Sequence, residues 1–436
     1  MRKIYIENFG PIKTANIEIR DALVLIGEQA SGKSTISKLI YFFKSLRADL
    51  FNVIYENTTS DVTQIQQALF KKIWEKFYNF FGSTRHLPDF KIKYHYSDTK
   101  FLELSLRNDK SLKPFLSPNF FGNGNTLKEA RNLRNAIELT AFELEYIKEL
   151  DQLINNIFED HYTPLFIPAG RNVAVTYSDQ FKFDFHSDLE NQSVMTQSLD
   201  IYLMKDFLKR VERLKKRFYR ENLKDLISHK IQMGDSVNEN LLKIAQDKFE
   251  AILKGQYRYN GNEEYIIYNT EENQSVRLGN ASSGQQEVIR ILQDIFLVLL
   301  EQEDVFRVIE EPEAHLYPIA QKHLIEMMAL MLNATKSQLI ITTHSPYILS
   351  IFNNLLFASR VVKTNEAVKP EVNAVIDESM WLDSTKVQAY TLKGGNCQSI
   401  LNPETGLIGE NYLDDISEEL GDDFDQLYHL HGQAFK

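Results

Sequence analysis

Gly27-Glu28-Gln29-Ala30-Ser31-Gly32-Lys33-Ser34, followed by Thr35, decides the fold of this chain. The eight residues are a full match to G-x-x-x-x-G-K-[ST], a loop whose glycines let successive backbone N–H groups curl around phosphates. Lys33 supplies a cation to the β- and γ-phosphates, Ser34 a hydroxyl to Mg²⁺ and Thr35 a further phosphate contact. The helix that follows adds the positive end of its dipole. Both flanks agree with this reading. Ala22 to Ile26 is a continuous apolar run suited to a buried parallel strand, and Ile36, Leu39, Ile40 and Phe43 recur at helical spacing. The ligand that such a loop implies is ATP with Mg²⁺.

Further along, Val305-Phe306-Arg307-Val308-Ile309-Glu310-Glu311-Pro312-Glu313 is a mostly apolar strand ending in adjacent carboxylates. Open α/β sheets put their chemistry at that edge. In a chain with a phosphate loop, Glu310 is expected to hold the Mg²⁺ shell and Glu311 to orient or deprotonate the attacking water. Without that loop, paired acids after a strand are simply a solvated strand end. His344 ends another apolar strand, Ile340-Ile341-Thr342-Thr343, 33 residues after Glu311. There it is either a polar strand end or an imidazole that reaches the γ-phosphate and senses it. The candidate catalytic residues are therefore Glu311, His344 and Lys33.

Taken together these motifs resemble an ABC-type ATPase head of the SMC/OLD-like branch, over about residues 1 to 360. Asn280 to Gln285 resembles the signature loop, with Ser282 and Gly284 at the serine and second glycine of Leu-Ser-Gly-Gly-Gln. Glu311-Pro312-Glu313-Ala314-His315-Leu316 resembles a stretch of the OLD-like members, and Phe166 to Arg171 a recurrent strand-loop of that group. The resemblance implies an α/β P-loop head, a mixed sheet flanked by helices, with helical insertions between phosphate loop and signature. It also implies a homodimer closed head-to-tail around ATP, in which Ser282, Ser283, Gly284 and Gln285 of one copy complete the γ-phosphate cage of the other. Two positions depart from the pattern: Glu310 stands where an aspartate is usual, and Ser283 replaces the first signature glycine. Slow turnover, gated by dimerisation or a partner, is the expectation. No Q-loop glutamine stands out; Arg171 is a candidate for a neighbouring role.

Ser282 follows Lys33 by 249 residues and Glu311 follows Gly284 by 27, so the insertions precede the signature, as in SMC-like proteins. One cysteine, Cys397, excludes a Cys-x-x-Cys zinc hook. About ninety residues follow His344, with no metal-carboxylate pattern of a Toprim domain. The resemblance therefore points to an ATPase controlling a separate effector such as a nuclease or toxin, as in Septu-like or retron-linked anti-phage systems. The alternatives are an ATP-binding scaffold or sensor with little turnover, and an SMC-like DNA repair ATPase.

The remaining sequence bears on partners and place. No apolar run approaches the roughly 20 residues of a membrane span, and the N-terminus lacks a secretory signal, so a cytoplasmic, membrane-free protein is expected. A net charge of −11 argues against nonspecific coating of nucleic acid but leaves room for a local basic patch. Lys205 to Lys230 holds ten Lys/Arg and four Asp/Glu around an apolar stripe: either a nucleic-acid contact or a helix docked on its own neighbour. Glu404 to Asp425 has nine acids and no Lys/Arg, with Leu413, Ile416, Leu420, Phe424 and Leu427 at helical spacing. This acidic amphipathic helix either docks an effector or second subunit, or packs on its own head. The expected division is a head from 1–60, 161–185 and 256–360, a mixed α/β insertion 61–160, a helical insertion 186–255 and a C-terminal segment 361–436.

Overall fold

The computed structural model describes residues 2–56, 61–84, 86–106, 110–122, 143–176, 199–234, 237–272, 274–409 and 412–434. The chain opens with the hairpin β1 (Lys3–Phe9) and β2 (Ile12–Glu18), turned at Gly10, then β3 (Ala22–Gly27) and the long helix α1 (Lys33–Glu56). Helix α2 (Val62–Phe81) follows, started by Asp61, whose carboxylate accepts from the Thr63 N–H. Strands β4 (Phe90–His95), β5 (Phe101–Leu106) and β6 (Leu112–Leu116) form an antiparallel run. Next come α3 (Glu143–Phe158), β7 (Thr163–Ile167), the single turn α4 (Val173–Thr176), and the helices α5 (Leu199–Arg217), α6 (Leu223–Gln232) and α7 (Glu239–Leu253). A small antiparallel sheet of β8 (Gln256–Tyr259), β9 (Glu264–Asn269) and β10 (Gln274–Arg277) leads into α8 (Ser283–Glu301). The parallel units are completed by β11 (Val305–Glu310), α9 (Pro318–Ala334), β12 (Gln338–Thr343) and α10 (Pro346–Thr364). After α11 (Lys369–Val375), the hairpin β13 (Val387–Lys393) and β14 (Asn396–Ser399) precedes α12 (Tyr412–Ala434).

One eleven-stranded sheet organises these elements, in the order β6-β5-β4-β1-β2-β14-β13-β3-β12-β11-β7. From β13 to β7 neighbouring strands run parallel; from β6 to β2 they run antiparallel. This is the expected mixed sheet flanked by helices. Strand alternation divides the core into two layers. Ala22, Val24 and Ile26 of β3 join Ile289, Leu292 and Phe296 of α8 and Met327 and Met331 of α9 on one face. Leu23 and Leu25 join Ile36, Leu39, Ile40 and Phe43 of α1 on the other. Each such side chain, fully buried, contributes about 1.5–3 kcal/mol. Buried Lys44 pins α1 further, with Nζ 2.5 Å from Asp160 and donating to Gln338 at 2.9 Å.

The sheet crosses the expected domain bounds in two places. Residues 61–160 are no separate unit, because β4 pairs along the outer edge of β1, Lys3 opposite His95 through Glu7 opposite Lys91. Residues 361–436 are no mere appendage, because β13 inserts beside β3 and β14 meets β2. An uncovered edge of β3 would leave an apolar hexapeptide with unpaired N–H and C=O groups, and β13 satisfies it. The helices α5 to α7 likewise share the core of the parallel half through Phe207, Val211, Phe218, Phe249 and Leu253. Residues 123–142, within the expected insertion 61–160, and residues 177–198 lie outside the described residues.

The two charged helices differ. On α5, Arg210 lies 2.6 Å from Asp294 of α8 and Lys215 3.0 Å from Glu264 of β9, while Arg217 and Lys230 both pair with Glu301. Docking on its own neighbour is therefore what this helix does, although Lys209, Arg213, Lys216, Arg220 and Lys224 remain exposed. On α12, Leu420, Phe424, Leu427, Tyr428 and Leu430 are all exposed, each by 60% or more. The described part of that helix does not pack on the head; the side chains of 412–419 lie outside the described residues. No helix among the described residues is long and apolar enough to cross a membrane.

Candidate nucleotide site

Four parallel strands deliver their C-terminal ends to one edge. β3 ends in the phosphate loop, β12 in His344, β11 in Glu310 and Glu311, and β7 in the loop carrying Arg171. Gly27 and Gly32 have φ of 158° and 109°, and a Cβ would meet Leu392 O at 2.7 Å and Ile12 Cγ1 at 2.9 Å. Ala30, also left-handed at φ 60°, keeps the loop curled. Glu28, Gln29 and Ala30 are exposed, Ser31 and Thr35 half-buried, and Ser34 stands exposed on the first turn of α1.

Lys33 is 6% exposed, and its ammonium donates to the carbonyls of Gly27 and Glu28, both at 2.8 Å. Burial pushes its pKa below the ordinary lysine value, while Glu311, Glu313 and Glu310 pull it back up. The same ammonium lies 3.5 Å from His344 Nδ1. An ammonium only donates, so Nδ1 accepts and the imidazole carries its proton on Nε2. That nitrogen points at Glu311 Oε1, 3.3 Å away. Lys33, His344 and Glu311 thus form one line across the ends of β3, β12 and β11.

Glu310 is 6% exposed; its Oε2 accepts from the Ala169 N–H at 3.4 Å, and its Oε1 is buried without a hydrogen-bond partner. Ser31 Oγ is buried and unpartnered as well. Buried polar atoms of this kind cost stability unless a ligand or ion meets them, and a free carboxylate oxygen is a donor suited to Mg²⁺. The longer glutamate at 310 is accommodated because its other oxygen is tied to the β7 loop.

Glu313 and Arg171 had no assigned place in the chemistry, and both hold the site together. Glu313 Oε1 accepts from Thr343 Oγ1 at 2.6 Å and from the His344 N–H at 2.8 Å, fixing the end of β12. Arg171 is fully buried and, among the described residues, its hydrogen bonds go to main-chain carbonyls: Nε to Glu287, Nη1 to Pro168 and Glu310, and Nη2 to Glu311. Burial lowers its pKa, opposed by Glu287 and the three acids of the 310–313 turn.

The signature-like residues are arranged differently. Ser282 caps α8 in a reciprocal box: its Oγ accepts from the Gln285 N–H, and the Gln285 carbonyl oxygen accepts from the Ser282 N–H at 3.1 Å. The Gln285 amide also donates to Leu253 O at 2.7 Å. Ser282 and Ser283 are exposed, whereas Gly284 is buried, with room for no Cβ because His315 O would lie at 2.5 Å. Within one chain the first turn of α8 therefore abuts the turn after Glu311.

Several solved structures match the chain at low similarity. The SMC head domain from Thermotoga maritima matches at a TM-score of 0.38 and 13% identity, over 91% of this chain and 97% of that one. An Smc head domain from Pyrococcus furiosus with an extended coiled coil, bound to the C-terminal domain of ScpA, matches at 0.34 and 11%, over 96% and 100%. The recombination mediator protein RecF-ATPrS of the RecFOR pathway matches at 0.33 and 11%, over 91% and 97%. Comparison with curated protein sequences gives no match. The family model described as the AAA ATPase domain matches residues 1–349, four-fifths of the chain; this protein belongs to that family.

Proposed function

We propose that the chain is a Mg²⁺-dependent ATPase whose hydrolytic centre is the line Lys33–His344–Glu311. The observation that carries this reading is the convergence of those three side chains, with the orphaned Glu310 Oε1, at the C-terminal ends of adjacent parallel strands. Lys33 and the N–H groups of Gly27 to Thr35 bind the β- and γ-phosphates. Ser34 and Glu310 would hold Mg²⁺, which neutralises phosphate charge as it shifts to the leaving group. Glu311 accepts a proton from the attacking water as oxygen bonds to the γ-phosphorus. The bond to the β–γ bridging oxygen breaks, giving ADP and phosphate. His344, donating from Nε2, orients Glu311 and faces the γ-phosphate.

Glu311→Gln tests this. Hydrolysis should fall by about 100-fold or more while nucleotide affinity holds. Wild-type turnover no faster than that of the variant would favour the scaffold or sensor reading.

The proposal extends to a homodimer closed head-to-tail around two ATP molecules, supported by the exposure of Ser282 and Ser283 at a helix N-terminus. Light scattering with and without ATP on Glu311→Gln, which traps the closed state, tests it. Control of a separate effector, in anti-phage defence by the resemblance above, is supported by the exposed apolar face of α12. Affinity purification from the native host with and without residues 412–434 should recover, and then lose, that effector. Nucleic-acid contact is supported through Lys209, Arg213, Lys216, Arg220 and Lys224, since Arg210, Lys215, Arg217 and Lys230 pair with acids of the head. Binding should accordingly be weak and salt-sensitive.

A further inference from the structure

Arg171, with Arg290, is the largest of the fully buried side chains among the described residues, and its guanidinium is turned to polar partners. Four hydrogen bonds from one guanidinium reach carbonyls on three separate elements: Glu287 on α8 at 2.9 Å, Pro168 in the β7 loop at 3.2 Å, and Glu310 and Glu311 at the end of β11 at 2.9 and 3.0 Å. Its charge is met by Glu287 Oε2 at 3.4 Å. Such a planar fork, with five fixed donors, has no equivalent among the other side chains.

One of the carbonyls it holds belongs to a strained residue. Glu311 has φ 43°, a left-handed conformation that costs a non-glycine residue about 1–2 kcal/mol. Three contacts keep it there: its N–H donates to Thr342 O at 2.8 Å, and its C=O accepts from the Ala314 N–H at 3.0 Å and from Arg171 Nη2 at 3.0 Å. In that conformation the Glu311 carboxylate lies 3.3 Å from His344 Nε2. Four residues on, His315 is also left-handed at φ 60°, and its carbonyl packs against Gly284 in the first turn of α8.

We infer that Arg171 is a positioning residue that locks the Glu311 backbone in its strained conformation and ties it to the first turns of α8. Whatever shifts the exposed start of α8 also shifts Glu287, and through Arg171 the carbonyl of Glu311. Docking of a second copy at Ser282 and Ser283 is thereby relayed to the docked chain's own Glu311. This inference rests on the proposed role of Glu311.

The experiment compares Arg171→Lys, Glu311→Gln and the double variant in full-length protein, measuring kcat, affinity for a fluorescent ATP analogue, and thermal stability. Lysine keeps the charge opposite Glu287 but, as a single ammonium on a thinner stem, cannot span the Glu310 and Glu311 carbonyls together. Arg171→Lys should lower kcat by about 10- to 100-fold with analogue affinity unchanged. The double variant should be no slower than Glu311→Gln alone, because Arg171 acts through Glu311. Should Arg171→Lys fold poorly, Arg171→Met/Glu287→Gln removes both charges and should show the same kcat loss. If Glu311→Gln is inactive while Arg171→Lys runs at the wild-type rate, or if the two losses multiply, the inference falls and the site reading stands. If Glu311→Gln itself turns over like wild type, the site reading falls and takes the inference with it.

Discussion

The phosphate loop and the signature-like loop are both turns that open a buried helix, α1 and α8, yet they use their polar groups in opposite ways. Around the phosphate loop, polar atoms are turned inward and left with unmet capacity: Glu310 Oε1 and Ser31 Oγ are buried without partners, and Lys33 is held by its own loop's carbonyls and by His344 Nδ1. At the start of α8, Ser282 and Gln285 satisfy each other and Gln285 reaches Leu253, so the turn is complete as it stands. One loop is built as a receptor and the other as a finished surface. A receptor depends on its ligand for full stability. A finished surface keeps its shape while it waits to be used.

This contrast can be tested most harshly by removing the receptor's charge. Lys33→Gln should weaken ATP binding by about 100-fold, read by titration calorimetry, because a charge-assisted phosphate contact is lost from a buried site. Next in size is Ser283→Arg, which leaves the Ser282–Gln285 cap untouched. It should preserve ATP binding and lower hydrolysis by roughly 10- to 100-fold if α8 works only on a second copy. Mixing the two inactive variants then decides the matter. Random pairing gives half heterodimers with one composite site of two, so roughly a quarter of the wild-type rate should return. No recovery on mixing would mean that each chain completes its own site.

Smaller effects probe how rigid the finished half is. Gly284→Ala places a methyl group 2.5 Å from the His315 carbonyl and should cost about 1–3 kcal/mol in denaturant unfolding. Behind α8, Arg290 lies 2.6 Å from Glu264, and Lys215 lies 3.0 Å from the same carboxylate. Burial would raise the Glu264 pKa, but Arg290, Lys215 and Tyr257 outweigh it and hold it at about 2, against 4.5 for a free glutamate. A carboxylate depressed in the folded state stabilises above the unfolded value and loses that contribution as pH falls toward the folded one. Wild-type stability should therefore decline between pH 4.5 and about 2, by a few kcal/mol at most. Glu264→Gln should be less stable at pH 7 and show a shallower decline over the same range.

What could be read from the sequence was what is local. The phosphate loop, the apolar run of β3 and the strand ending at Glu310 each announce themselves within about ten residues, because curl, burial and charge there depend on near neighbours. Arg171 could be named but not placed, since its role exists only where residues 168, 287, 310 and 311 meet. Glu287 gave no signal at all: an acid one turn into an amphipathic helix reads as solvent-facing. β13 was missed for a related reason. Val387 to Lys393 alternates weakly, and both its edges are paired only once β3 and β14 stand beside it. For Lys205 to Lys230 the count of ten cations with four nearby acids was correct and misleading together, because Asp294, Glu264 and Glu301, which receive four of those cations, lie far away in the chain.

The place of β13 has a consequence for how the protein is made. The strand that joins the parallel and antiparallel halves of the sheet begins at residue 387, beyond the 349 residues matched by the family model. A ribosome that has released the phosphate loop, the signature helix and both glutamates has still not released one of the two partners of β3. Until it does, the nascent head carries two part-sheets and an open, wholly apolar strand edge, the kind of surface that invites mispairing. Pairing across some 360 residues is also a slow, non-local step. Newly made chains should therefore stay bound to chaperones until Val387–Lys393 emerges, and only then acquire the ability to hold nucleotide.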